Sequence, residues 1–160
     1  MAKKYRDTIE PPVYYYEGNQ TILTSDLDAI GFPGMGVVHI SDLAYVYGNS
    51  SLYNLTGNGF PGYAFNLKPS DYELARQMPR SFTSFASTGY PSLKGRQTLP
   101  GWTSAYHSGE RGGEIYVYGG NDPGMSKLEG RGSKPTVAAQ RLVERRGLLN
   151  RKDVIKQLKY

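Results

Sequence analysis

Cysteine is absent from the 160 residues, and histidine occurs only twice, at positions 39 and 107. Without cysteine there is neither a disulfide framework nor a thiolate metal site. Two histidines so far apart do not make a zinc site built on imidazole, so no metal is expected. No apolar run approaches the roughly 20 residues that a membrane-spanning helix needs. The opening "MAKKYRDTIE" lacks the apolar centre of a signal peptide. What remains is the composition of an ordered globular chain, with 14 tyrosines suited to strands and amphipathic surfaces. The net charge of +5 lies largely in "RLVERRGLLNRKDVIKQLKY", 141–160. A basic tail can meet nucleic acid or an anionic membrane, but its ordinary use is a solvated helix face.

The pattern along the chain predicts a strand over "PVYYYEGN", 12–19, and a long loop over 20–36. A short helix is expected over "SDLAYVYG", 41–48, with Ser41 as its N-cap and Gly48 as its stop. Residues 49–69 read as loop. "SDYELARQM", 70–78, opens with Ser70 and Glu73 in capping-box positions. Leu74, Met78, Phe82 and Phe85 share one helical face, which Pro79 is expected to kink or break. "GEIYVYGG", 113–120, alternates as a strand does, and 121–135 reads as loop. "TVAAQRLVERRG" predicts a helix with Ala138, Ala139, Leu142 and Val143 on one face, closed by Gly147, and "NRKDVIKQL" a second, short one. Two strands are too few for a stable sheet with helices upon it, so the chain reads as part of a larger fold.

Little of the chemistry is complete. "GNGFPG", 57–62, matches a dinucleotide-loop pattern in form only, because Pro61 interrupts it and no helix follows; it reads as turns, and no cofactor is expected. Three N-glycosylation sequons begin at Asn19, Asn49 and Asn54, and they matter only in a chain that passes through the secretory pathway. His107 lies in a polar turn and reads as a surface residue. His39 follows the apolar Gly36-Val37-Val38, a segment able to deliver a side chain from beneath the surface. Spacing alone leaves it a core side chain, a helix cap or a catalytic base.

The stretch "GMGVVHISDLAYVYGN", 34–49, resembles the catalytic-histidine segment of type B carboxylesterases, the cholinesterase-like branch of the α/β-hydrolases. The family pattern Gly-Val-x-His-Gly-x-(Glu/Asp)-(Leu/Ile)-x-(Phe/Tyr)-Val-(Phe/Tyr)-Gly is met by Gly36, Val37, His39, Asp42, Leu43, Tyr45, Val46, Tyr47 and Gly48. Ile40 stands where the family usually has glycine. "PVYYYEGN" is similar to the strand before this loop, and "MPRSFTSFASTGYPS", 78–92, to the segment after it, with Phe82 in place of the usual tryptophan. "PGWTSAYH" and "GGEIYVYGG" resemble the turn and final strand that follow, and 141–158 the C-terminal helices of fungal members. The resemblance runs in order over nearly all of residues 1–160 and covers roughly the last third of a family member.

The resemblance implies an α/β class: one partial carboxylesterase domain over 1–160, a C-terminal portion of the hydrolase fold rather than a complete domain. It implies hydrolysis of a small-molecule carboxylic ester by a Ser–acid–His triad, with His39 as general acid and base. Asp42 then has an orienting, structural role. No Gly-x-Ser-x-Gly elbow and no glycine-rich oxyanion segment occur here, so the histidine segment is expected to be inactive alone and to need the N-terminal part of the hydrolase as partner. Neither nucleic acid nor a membrane is expected as partner. The alternatives are a non-catalytic remnant or small binding protein, and a basic nucleic-acid-binding module. The sequence leaves localisation open.

Overall fold

The computed structural model describes residues 12–49, 67–106 and 112–158. Three strands form one sheet: β1 (Tyr16–Gly18), β2 (Glu114–Tyr118) and β3 (Gly124–Lys127), in that spatial order. β1 runs parallel to β2, with Tyr16 opposite Tyr116 and Gly18 opposite Tyr118. β3 runs antiparallel to β2, with Glu114 opposite Lys127. The mixture of helices with this small sheet is compatible with part of an α/β fold.

The central strand "EIYVY" is buried from Ile115 to Tyr118 because helices or loops cover both of its faces. On one face Tyr16, Tyr116 and Tyr118 meet Trp102 and Phe82. Trp102 stacks on Tyr116 at 5.4 Å and meets Tyr16 edge-on at 5.6 Å. Its indole N–H donates to the Tyr15 carbonyl at 3.1 Å, as a buried indole requires. On the other face Ile115 and Val117 pack against the fully buried Val137. Gly18 is fixed by this packing, since a Cβ there would come within 2.3 Å of the Tyr118 Oη.

Helices α1 (Thr24–Ala29) and α2 (Leu43–Val46) precede the long α3 (Pro69–Thr88). α3 starts as its sequence asks, with Pro69 in the first turn after the extended Lys68. The N-cap, however, is Lys68 and not Ser70, and Asp71 completes the capping box: its Oδ2 accepts the Lys68 backbone N–H at 2.7 Å. Glu73, expected to complete the capping box, instead accepts from Arg76 and Gln77. Leu74, Ala75, Met78 and Ser81 are buried along one stripe. α3 also continues through Pro79, where a kink or a break was expected, so the helix is not broken there. The missing N–H frees the Ala75 carbonyl, and Gly48, just past α2, packs on that carbonyl and on the Pro79 ring. A side chain at 48 would meet both at about 3.0 Å or less. An interior proline costs about 3 kcal/mol. Burying Leu74 and Met78 on either side returns about 1.5–3 kcal/mol each.

Other expectations need correction. The 12–19 strand pairs regularly only over β1. The loop expected over 20–36 contains α1, which Thr21 introduces by accepting the Leu23 N–H at 3.1 Å. The loop expected over 121–135 contains β3, whose glycine and serine carry little strand propensity and are held by pairing with β2. The continuous helix expected after Lys134 is divided at Arg141, which takes a left-handed backbone with φ 51°. The pieces are α4 (Pro135–Gln140) and α5 (Leu142–Leu149), followed by α6 (Lys152–Leu158). Val137 and Leu142 face the sheet, whereas Ala138, Ala139 and Val143 are exposed, and Gly147 lies inside α5. Ser41 does not cap α2. It is buried and donates to the Val38 carbonyl at 2.8 Å, while Asp42 takes the cap position. Most of the 49–69 loop lies outside the described residues.

Candidate active site

Because β1 and β2 are parallel, their chains leave the sheet at the same end. In open α/β sheets the crevice beyond the carboxyl ends of parallel strands is where ligands bind. Here that end carries Asn19 and Gln20 after β1, and Gly120 and Asn121 after β2. Together with Asp28, Val37 and Lys68 they line a cleft of about 530 Å³. The segment between α1 and α2 that carries His39 borders the cleft through Gly36 and Val37.

His39 itself is exposed, so it is not a core side chain in this structure. Phe32, Met35, Val37 and Ile40 around it are also 39–55% exposed. The turn is held by the Gly34 N–H to Asp28 Oδ1 at 3.3 Å and by the Ser41 and Leu43 N–H groups to the Val38 and Ile40 carbonyls. No hydrogen bond or ion pair joins His39 to a carboxylate among the described residues. Asp42 is not turned to it: its charge acts on the Tyr16 and Tyr118 phenols, adding to the burial that raises both above the usual tyrosine value.

Ile40 has φ 62°. This is the left-handed backbone that glycine takes freely and a β-branched residue takes at a cost of about 1–2 kcal/mol. Since Ile40 is half exposed, Ile40→Gly loses little burial. The expected net gain, after the entropy that glycine adds to the unfolded chain, is about 0.5–1 kcal/mol. It would be read as a raised midpoint in urea; a lowered one would mean that the isoleucine side chain holds the turn.

The buried polar centre of this end is Asp71, which the sequence reading overlooked. Its Oδ1 accepts the Tyr45 hydroxyl at 2.6 Å and the Gln20 amide at 2.5 Å, and its Oδ2 accepts the Lys68 N–H. Gln20 in turn accepts the Gly120 N–H at 3.2 Å. One carboxylate thus ties the ends of both parallel strands to α2 and α3. Burial, with the Asp71 hydrogen bond second, holds the Tyr45 phenol well above its usual value. Asp71→Ala would leave three donors without their acceptor, a loss of about 3–4 kcal/mol, whereas Tyr45→Phe should cost about 1–2 kcal/mol. A denaturant series in which the two variants lose equally little would contradict this arrangement. A signal was present: an aspartate two residues after Pro69, where an N-terminal turn wants a carboxylate.

The sequons separate. Asn19 is half-buried, its N–H donating to the Tyr118 carbonyl at 3.0 Å and its amide lying against Gly120. Asn49 is exposed just beyond α2. Asn54 and His107 lie outside the described residues. Among the described residues no cluster of three or more His, Asp or Glu could hold a metal ion.

No family model matches the chain. It is similar to lipase- and carboxylesterase-like proteins of fungi. A secreted lipase of Arthroderma benhamiae is 34% identical over 149 residues, which is 92% of this chain and 24% of the lipase. The inactive carboxylesterase-like protein VdtD of Byssochlamys spectabilis is 32% identical over 96 residues, 59% of this chain and 15% of that protein. The chain therefore spans about a quarter or less of the relatives it matches. These similarities support an esterase/lipase-like family.

Proposed function

We propose that this chain is the histidine-bearing part of a type B carboxylesterase, a serine hydrolase of carboxylic esters, with His39 as its general acid and base. The observation that carries the reading is the backbone at Ile40. The family pattern has glycine at this position, and Ile40 holds the φ of 62° that suits glycine. A left-handed residue directly after His39 is what a glycine at that position of the family pattern would supply, and this supports the reading. Similarity to the secreted lipase over 92% of the chain supports it further.

In this role the His39 imidazole takes the proton of a serine Oγ as that oxygen attacks the ester carbonyl. The imidazolium then gives the proton to the departing alcohol oxygen, and the cycle repeats with water. A side chain with an unperturbed pKa near 6.5 serves both directions. The serine, the triad acid and the oxyanion donors come from a polypeptide that holds the Gly-x-Ser-x-Gly elbow this sequence lacks. Asp42 acts structurally, through the tyrosines of the sheet.

A second reading, a non-catalytic member of the same family, draws on two observations. His39 has no carboxylate on its ring among the described residues, and one relative carries the name of an inactive carboxylesterase-like protein. The deciding experiment substitutes this chain for its counterpart in the secreted lipase and assays a chromogenic short-chain ester. A folded chimera whose activity depends on His39 supports catalysis. A folded chimera without such activity, not rescued by Ile40→Gly, supports the second reading.

A further inference from the structure

Charge and apolar surface coincide on the last two helices. Residues 141–160 hold seven Lys/Arg against two Asp/Glu, a surplus of five that equals the net charge of the whole chain. Residues 1–140 are therefore balanced. Both acids of this region are already neutralised within it: Glu144 by Arg141, and Asp153 by Arg151 at 2.7 Å. Arg145, Arg146, Lys152 and Lys156 are exposed and have no acidic partner among the described residues. Between them Val143, Leu148, Leu149 and Ile155 are 39–59% exposed. α5 contains no buried residue, so most of its aliphatic side chains are not spent on the core.

We propose that α5 and α6 form a docking surface for an anionic lipid interface. The cations meet the phosphates of the headgroups while the leucines, valine and isoleucine enter the boundary with the acyl chains, as in helices that lie on a bilayer. No described helix is long and apolar enough to cross a membrane, so the surface lies on the lipid and does not span it. Nucleic acid fits less well. Among the described residues neither helix carries an aromatic side chain on which a base could stack, and exposed leucines gain nothing against a phosphate backbone. The inference goes beyond the esterase reading and does not depend on it, since binding is read without turnover.

The test is flotation of the 160-residue chain with vesicles of phosphatidylcholine alone and of three parts phosphatidylcholine to one part phosphatidylglycerol. A duplex DNA is titrated in parallel. Binding to the anionic vesicles is expected to be about 100-fold tighter than to the neutral ones, since several basic residues act together. Replacing Arg145, Arg146, Lys152 and Lys156 together by Gln should abolish the difference. Leu148→Ser with Leu149→Ser should weaken binding about tenfold and leave the charge intact. Both sets lie on exposed positions, so circular dichroism should be unchanged and a failure to bind cannot be laid to misfolding. Equal or absent binding to the two vesicles would overturn the proposal. So would binding indifferent to the four cations, or DNA bound more tightly than the anionic vesicles.

Discussion

In the lipase chimera, His39→Ala should lower kcat/KM for a short-chain ester by about 10⁴-fold or more, with KM little changed. The reason is that the imidazole acts on the proton in flight and not on the bound ester, so its removal raises the barrier and leaves ground-state binding alone. Ile40→Gly should leave this dependence intact and raise turnover if the isoleucine impedes the aim of the ring. The 160-residue chain alone should hydrolyse the same ester no faster than free imidazole, because nucleophile and oxyanion donors are both missing. Rapid hydrolysis by the chain alone, lost on His39→Ala, would contradict the assignment. It would require a nucleophile among residues to which no such role falls here.

How far the sequence foretold this molecule depends on where each element gets its stability. β2 was legible because alternation and aromatic, β-branched residues act locally. Gly124–Lys127 was not, because a strand of glycine, methionine, serine and lysine is made by its neighbour and not by its own propensity. That Pro79 does not break α3 has the same reason. Local rules weigh the lost hydrogen bond, but the gain lies in packing against α2 and the sheet, including a contact with Gly48 31 positions away. Arg141 gave no local sign of the left-handed turn that separates α4 from α5.

The candidate site shows the same division. The histidine turn was legible as a motif, and even the strained position next to it could be named as the place of a missing glycine. Asp42 drew attention by its place in that motif. The carboxylate that organises this end is instead Asp71, which joins Tyr45 and Gln20 across 26 and 51 positions. The sequence pattern puts the cap on Ser70 and Glu73; only the fold brings the ends of two parallel strands down upon Asp71. The acid that the motif singles out and the acid that organises this end are thus different residues, and among the described residues neither is bonded to His39.

Above pH 10 the chain should unfold steeply and cooperatively, before its buried tyrosines ionise in the folded state. Tyr45, Tyr116 and Tyr118 are 0–2% exposed. Burial raises Tyr116 to about 12 and holds the other two higher still, with Asp71 and Asp42 adding repulsion at Tyr45 and Tyr118. In the unfolded chain each titrates near 10. Below pH 10 both states keep the protons, and the phenols add no pH dependence. Between 10 and the raised values the unfolded state alone loses them, so stability falls as pH rises, by up to about 1.4 kcal/mol per pH unit for each tyrosine. Three such groups give a fall of up to about 4 kcal/mol per unit, against the 5–15 kcal/mol typical of a domain. In a near-ultraviolet titration the phenolate signal of Tyr45, Tyr116 and Tyr118 should appear abruptly with the loss of helical circular dichroism, and Tyr45→Phe should make that step shallower. A smooth titration of all the tyrosines with the helices intact would mean that Tyr45, Tyr116 and Tyr118 reach solvent, and that the aromatic face of the sheet is open.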